Sequence, residues 1–426
     1  MVTLEHTYRY AAPSSAAPGR LHLATELPWF FQGNLTAPRR TADLLLALSR
    51  VVRSRFHTPA AMLARILREA DPVITCGVDR LRLEGFSACC GAYARVDLLP
   101  AALDGALLSH GTTNVDFNPE MRAALTALGE GERCALTVGR EGIELAGVSE
   151  KRVPLPLRWL KGFVEAQAHQ ARMQLFFDID ASETRRFLRE LRGESSGYVV
   201  SAGRGLRLSQ VKAPGAVSVA GVQRLKVLQD LARHARGLRV YGHDGGASAF
   251  ELILPEARFH LVLSPEVWRG FSGEGQVLGP LLSPADSERL RQALSWQPVL
   301  SVEELSARSG LAGPEVLSAL AHLGSRGVVG YDLELGGWFH RTLPYDYSLV
   351  EEMHPRLKAA RKLVESGGVR REGEQVWVRG SQVEHRVRSG RCTCPWFAAH
   401  QGERGPCKHV LAAQLLEEGE DEPTGA

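Results

Sequence analysis

The stretch Arg391-Cys392-Thr393-Cys394, followed twelve residues later by Cys407-Lys408-His409, puts three of the chain's seven cysteines and one histidine within eighteen positions. Zinc takes four tetrahedral ligands from thiolate and imidazole, and a Cys3His set supplies them. The flanking sequence gives that set a scaffold. Residues 376–379 and 382–387 read as two strands around Gly380-Ser381. Cys392 and Cys394 are expected to continue the second strand, where residues two apart point the same way. Val410, Leu411, Leu415 and Leu416 have helical spacing, so Cys407 and His409 stand at a helix start.

This Cys-x-Cys, gap, Cys-x-His pattern resembles the SWIM-type zinc finger, over residues 360–417. The resemblance implies a small ββα fold around one zinc held by Cys392, Cys394, Cys407 and His409. His385 and His400 are spare imidazoles nearby. It also implies binding of DNA or of proteins. Some bacterial members accompany AAA+ ATPases of the MoxR type and von Willebrand A proteins.

Outward from the finger, 426 residues predict two to four domains, and 44% hydrophobic with 23% charged residues predicts a globular chain. A net charge of +3 dictates no partner. Residues 1–20 read as a flexible lead, Ala/Pro/Ser-rich from 11 to 19, without a signal peptide. No run of eighteen apolar residues predicts a membrane span. An odd cysteine count in a large chain points to a reducing, cytoplasmic setting, with Cys76, Cys89, Cys90 and Cys134 as buried thiols.

Residues 21–280 read as an α+β region of repeated helix-strand-strand units. A helix over 41–55 is followed by another over 59–69 and a strand pair at 73–76 and 80–83. Leu63, Gly77 and Leu83 map onto Leu125, Gly139 and Leu145 with a shift of sixty-two, and these onto Leu188, Gly203 and Leu208. Further helices are expected near 156–168 and 221–235. Such repeats share one core, and the rhythm is loosely similar to sliding-clamp-like and other repeat folds. The region has no Walker-type loop, nucleophile elbow or His-Glu-x-x-His, so no catalytic residue is assigned and the chain is read as a non-enzyme. Asp178 and Asp180 precede Ser182-Glu183 and read as helix-capping acids rather than a metal pair. Arg158, Lys161, Arg185, Arg186, Arg189 and Arg192 read as a solvated face.

Residues 281–345 resemble a winged helix. Helices are expected at 284–294, at 302–309 with a Ser301/Glu304 capping box, and at 314–326, with an extended piece at 296–300 and a hairpin at 328–333 and 338–342. From 284 to 341 five basic residues face seven acidic ones, a net −2. DNA affinity rests largely on phosphate neutralisation, so this unit reads as structural or protein-binding. His322, Ser318 and Arg326 are the only polar readers that helix 314–326 offers.

The finger, 356–417, is the opposite. From 356 to 408 twelve basic residues face five acidic ones, a net +7. Arg386 and Arg388 share a strand face, and a bulge at Ser389-Gly390 would bring Arg391 onto it and turn both cysteines away. With Trp377, Trp396 and Phe397 nearby, these arginines are the candidate nucleic-acid contacts. An acidic tail, 418–426 with Glu417 before it, is expected to compete for that face. The sequence therefore reads as a zinc-binding, non-catalytic protein that binds nucleic acid, DNA first, with a protein adaptor as the alternative.

Overall fold

The computed structural model describes residues 15–17, 20–22, 29–56, 72–115, 117–282, 286–343 and 354–421. The expected helix at 59–69 lies outside them. Residues 1–14, 18 and 19 of the expected flexible lead lie outside them too; β1 (Ser15–Ala17) pairs with β2 (Arg20–His22).

The body is α+β and repeats one pattern three times: strand, helix, then antiparallel strands. The first unit is β3 (Trp29–Leu35), α1 (Pro38–Arg53), β4 (Val73–Cys76), β5 (Leu81–Phe86) and β6 (Ala92–Leu98), trailed by β7 (Leu103–Leu107). The second is β8 (Gly111–Asn114), α2 (Pro119–Ala127), β9 (Ala135–Gly139), β10 (Gly142–Leu145) and β11 (Val148–Lys151). After α3 (Leu157–Gln170) comes the third: β12 (Gln174–Asp180), α4 (Ala181–Glu190), β13 (Gly197–Ala202), β14 (Gly205–Ser209) and β15 (Val217–Val219). Then follow α5 (Lys226–Leu231), β16 (Gly237–Gly242), β17 (Ser248–Ile253) and β18 (Ala257–Leu263). Local chemistry sets the helix starts. Asn118 Oδ1 accepts from Met121 N at 2.8 Å, with Pro119 opening the helix. Asp180 accepts from the backbone of Ser182 and Glu183, so it is a cap, while Asp178 pairs with Arg239.

The units exchange strands. β3, ahead of α1, pairs with β9 of the second unit, and β8, ahead of α2, pairs with β4 of the first. The result is a five-stranded sheet, β11-β10-β9-β3-β7, and an eight-stranded one, β12-β16-β17-β18-β6-β5-β4-β8. Of the third unit only β12 joins the eight-stranded sheet, beside β16; β14-β13-β15 stand apart as a third sheet. Gly85 on β5 lets Val52 of α1 and Trp159 of α3 close on the large sheet, since a Cβ there would lie 2.5 Å from Val52.

Downstream lie α6 (Leu278–Leu281), α7 (Ser287–Ala293), α8 (Val302–Ser309), α9 (Gly313–Ser325), β19 (Val329–Asp332) and β20 (Gly337–His340). This element order follows the sequence reading, with two corrections. Residues 296–300 form no strand, although Leu300 N donates to Trp338 O at 2.7 Å. Ser301 caps Glu304 N, but the Glu304 carboxylate takes Gln297 instead of completing the box. Leu290, Leu305, Val316, Leu320 and Trp338 form a core separate from the body's.

The β19–β20 hairpin is pinned into the large sheet by charge. Asp332, fully buried, meets Arg82 at 3.1 Å and Arg95 at 3.2 Å; Glu334 meets Arg80 at 3.0 Å; Arg341 meets Glu84 at 2.7 Å. The surrounding arginines hold the Asp332 carboxyl far below the usual range against the opposing effect of burial. α9 is enclosed as well: His322 is buried with its imidazole on Pro280 O, and the helix packs on α3, α6, α7 and α8.

Candidate metal centre and basic face

The C-terminal module is larger than the expected ββα finger. It comprises α10 (Pro355–Glu365), β21 (Val369–Glu372), β22 (Gln375–Arg379), β23 (Glu384–Arg388), β24 (Arg391–Cys392), α11 (Pro395–His400) and α12 (Lys408–Asp421) in one four-stranded sheet with flanking helices. β21, β24 and α11 were not legible as separate elements. The strands are two to five residues long, and α11 carries no helical hydrophobic repeat.

The cysteines do not continue β23 as expected. Ser389 and Gly390 both have left-handed φ, +47° and +72°, and make a two-residue hairpin turn. The chain reverses, and Cys392 lies on β24 opposite Val387. Cys394 has left the sheet and caps α11, its Sγ accepting from Phe397 N at 3.3 Å. Cys407 and His409 do open a helix, as expected, with Cys407 Sγ accepting from Val410 N at 3.4 Å.

These four residues converge. Three sulfurs and one imidazole nitrogen lie within 4.8 Å of one another, all buried. Cys392 Sγ is 3.8 Å from His409 Nδ1. Ligand arms of about 2.0 and 2.3 Å in a tetrahedron would separate such atoms by about 3.5 Å, so the donor set fits zinc. Each sulfur also receives a backbone N–H, Cys392 from Cys394 N at 3.4 Å, which favours thiolate. A hydrogen bond from Cys392 draws the Cys407 thiol down to about 4, and the same bond, with burial, raises Cys392. His385 lies tilted against His409, ring centres 4.5 Å apart, and His400 sits edge-on to Trp396; neither joins the cluster.

The metal module is seated on the body. Arg356 donates to the carbonyls of Arg404 and Pro406, just ahead of Cys407, and to Glu274 O, while lying over Trp396. Gly405, at φ +75°, comes so close to Gly275 that a Cβ would fall 1.8 Å from its carbonyl oxygen. Beneath this seam lies Glu165, 1% exposed, which accepts from Gln276 N. Burial and then the Glu274 carboxylate raise its pKa to about 8, with Arg356 opposing. An acid whose folded pKa exceeds its unfolded value stays protonated in the fold while the unfolded chain ionises. Stability therefore falls as pH rises from about 4.5 to about 8. Glu165→Gln should remove this fall: its melting temperature should match wild type near pH 5 and exceed it at pH 9. Parallel melting curves across that range would show the seam is not titrating.

The three predicted arginines do share a face, by a different route. Arg388 and Arg391 are direct partners across the hairpin and Arg386 precedes Arg388 by two, so no bulge is needed. Cys392 and Val387 face the opposite way, toward α12. All three arginines are exposed, and Arg388 is met by Glu374 at 2.7 Å. The aromatic expectation is only partly met. Phe397 is core at 9% exposure, and Trp396 and Trp377 are half-buried under Arg356 and Arg370. Of the expected acidic tail, residues 418–421 belong to α12 and 422–426 lie outside the described residues; Glu417 pairs with Arg371 on the far face. Of the solvated-face set, Arg158 instead donates to Ala88 O and Lys161 is pushed down by burial.

Residues 374–415 match the SWIM zinc finger family. The matched segment runs from the β21–β22 turn into α12 and contains all four cluster residues of this SWIM finger. No curated protein matches the chain. Among solved structures, proliferating cellular nuclear antigen from Entamoeba histolytica is similar at 10% identity and a TM-score of 0.38, over 56% of this chain and 99% of that one. No helix among the described residues is long and apolar enough to cross a membrane.

Proposed function

We propose that this is a zinc-binding, non-catalytic protein whose SWIM finger binds nucleic acid, DNA first, through Arg386, Arg388 and Arg391. The observation that carries the reading is the gathering of these three guanidiniums on the solvent face of the sheet whose other face holds Cys392. Zinc here is structural: four protein ligands leave no open position for an activated water. The packing of α9 on four other helices and the docked β19–β20 hairpin favour a scaffolding role for the acidic unit, which keeps it off the nucleic acid.

The test is salt. Each lost duplex phosphate contact lowers the log-log salt slope by about 0.9. Replacing all three arginines by alanine should flatten the slope by about two to three units and weaken every sequence alike. Because Glu417 is held by Arg371, Glu417→Gln should leave binding unchanged. Binding that ignores both salt and these arginines would overturn the reading. The adaptor alternative, with a MoxR-type AAA+ ATPase and a von Willebrand A protein, draws on the net −2 of residues 284–341 and on Leu317, half exposed on α9. It predicts that a purified ATPase of that type loses its hold when those residues are deleted.

A further inference from the structure

The basic face is narrow, and its borders differ in charge. Arg386 and Arg388 lie on β23 and Arg391 on β24, the edge strand of the sheet. With Ser389 and Thr393 they form one wall of a groove of about 440 Å³. Phe397, Ala398 and Gln401, along and just past α11, form the other wall. Thr393 is fixed opposite Arg386 by two hydrogen bonds, Arg386 N to Thr393 Oγ1 at 3.0 Å and Thr393 N to Arg386 O at 3.1 Å. The groove is thus built on paired backbone.

Across the sheet the charge reverses. Glu374, in the β21–β22 turn, reaches Arg388 at 2.7 Å. Arg370 is held between Glu372 and Glu384, the latter at 2.8 Å and on β23 itself two residues before Arg386, so carboxylates outnumber the guanidinium there. Strands lie about 4.8 Å apart, so β21 is roughly 10 Å from β23. The cations of β23 and β24 form a lane with helix α11 on one flank, the Arg388–Glu374 pair on the other, and Glu384, beside Arg379, closing its start.

A duplex presents two phosphate backbones, across grooves of about 6 and 12 Å. With one backbone in the lane, the second falls toward Glu372 and Glu374 at the β21–β22 turn or against α11. A single strand presents one backbone and bends into a concave groove, the arrangement that positively charged single-strand channels use. We infer that the Arg386–Arg388–Arg391 groove takes single-stranded nucleic acid in preference to duplex; this rests on the nucleic-acid reading above.

The experiment uses the full zinc-loaded chain with fluorescein-labelled oligothymidylate and, separately, the same strand annealed to its complement, by anisotropy over a salt series. The single strand should bind at least about tenfold tighter, which is about 1.4 kcal/mol at 25 °C. Arg386→Ala with Arg391→Ala should lower its salt slope by about 1.4 units, at about 0.7 per single-strand phosphate. Glu374→Gln with Glu384→Gln should narrow the gap by admitting the duplex. Zinc content equal to wild type verifies that each variant is folded. Duplex bound equally or more tightly, through the same arginines, overturns the inference and leaves the nucleic-acid reading standing. Binding of neither form, or binding indifferent to the arginines, overturns both.

Discussion

Cys407→Ser combined with His409→Ala should take the zinc content of the purified chain from one per molecule to none and unfold residues 355–416. Structural zinc contributes about 10–16 kcal/mol of apparent binding energy to small finger modules, and this is folding energy. Little else holds this module shut. Its buried residues are few, chiefly Leu357, Ala360, Val376, Val378, Val387 and the α12 face from Val410 to Ala413. Without metal, three buried sulfurs would remain within 4.8 Å of one another. Hydrogen exchange should show the loss spreading to loop 270–276, because Arg356 ties the segment before Cys407 to Glu274 O. The eight-stranded sheet should keep its protection. Retained zinc in the double variant would mean that Cys407 and His409 are not the ligands and that His385 and His400 stand in their place.

Asp332→Ala should destabilise the chain by about 3–5 kcal/mol, the usual effect of removing one partner from a buried ion pair. It would strand Arg82, about 1% exposed, and leave Arg95 with Asp97 and Arg80 with Asp79 and Glu334. The loss should concentrate in the β19–β20 hairpin, whose first strand ends at Asp332, and hydrogen exchange there should rise well above that of α7 and α8. The pH dependence has a definite sign. Asp332 and Asp97 both titrate below the ordinary aspartate value in the fold, Asp97 at about 2, under the influence of Arg95. Their contribution is fully present above about pH 4 and lost as pH falls toward those depressed values. Asp332→Ala should therefore be less acid-sensitive than wild type. A variant as stable as wild type at pH 7 would refute the pinning role.

The metal cluster was legible because its residue types and spacing are themselves the chemistry. The route between ligands was not. Whether Ser389-Gly390 makes a bulge or a turn depends on two left-handed φ values, and only the pairing of Arg388 with Arg391 settles it. The repeats were legible through Leu125 and Leu188, each fully buried on a helix directly ahead of a hairpin. The strand exchange was not, because β3 and β8 carry nothing in their residues that names a partner in another unit. The Arg82–Asp332 cluster was invisible for a related reason. Its members are 250 positions apart, and isolated charges in strand patterns read as solvent-facing.

The exchange of β3 and β8 has a bearing on how the chain reaches this fold. Asn34 finds its partner Ala135 only after a hundred further residues have been made. Until then β3 has no neighbour on the β9 side, and an unpaired strand edge invites association with other chains. Pairings of such sequence separation pay loop-closure entropy first and form slowly. A fragment that stops after β8 would own both strands of the β4–β8 pairing but only β3 of the β3–β9 pairing. The first two units are thus one obligate folding unit, and a cut between them leaves neither half with a complete sheet.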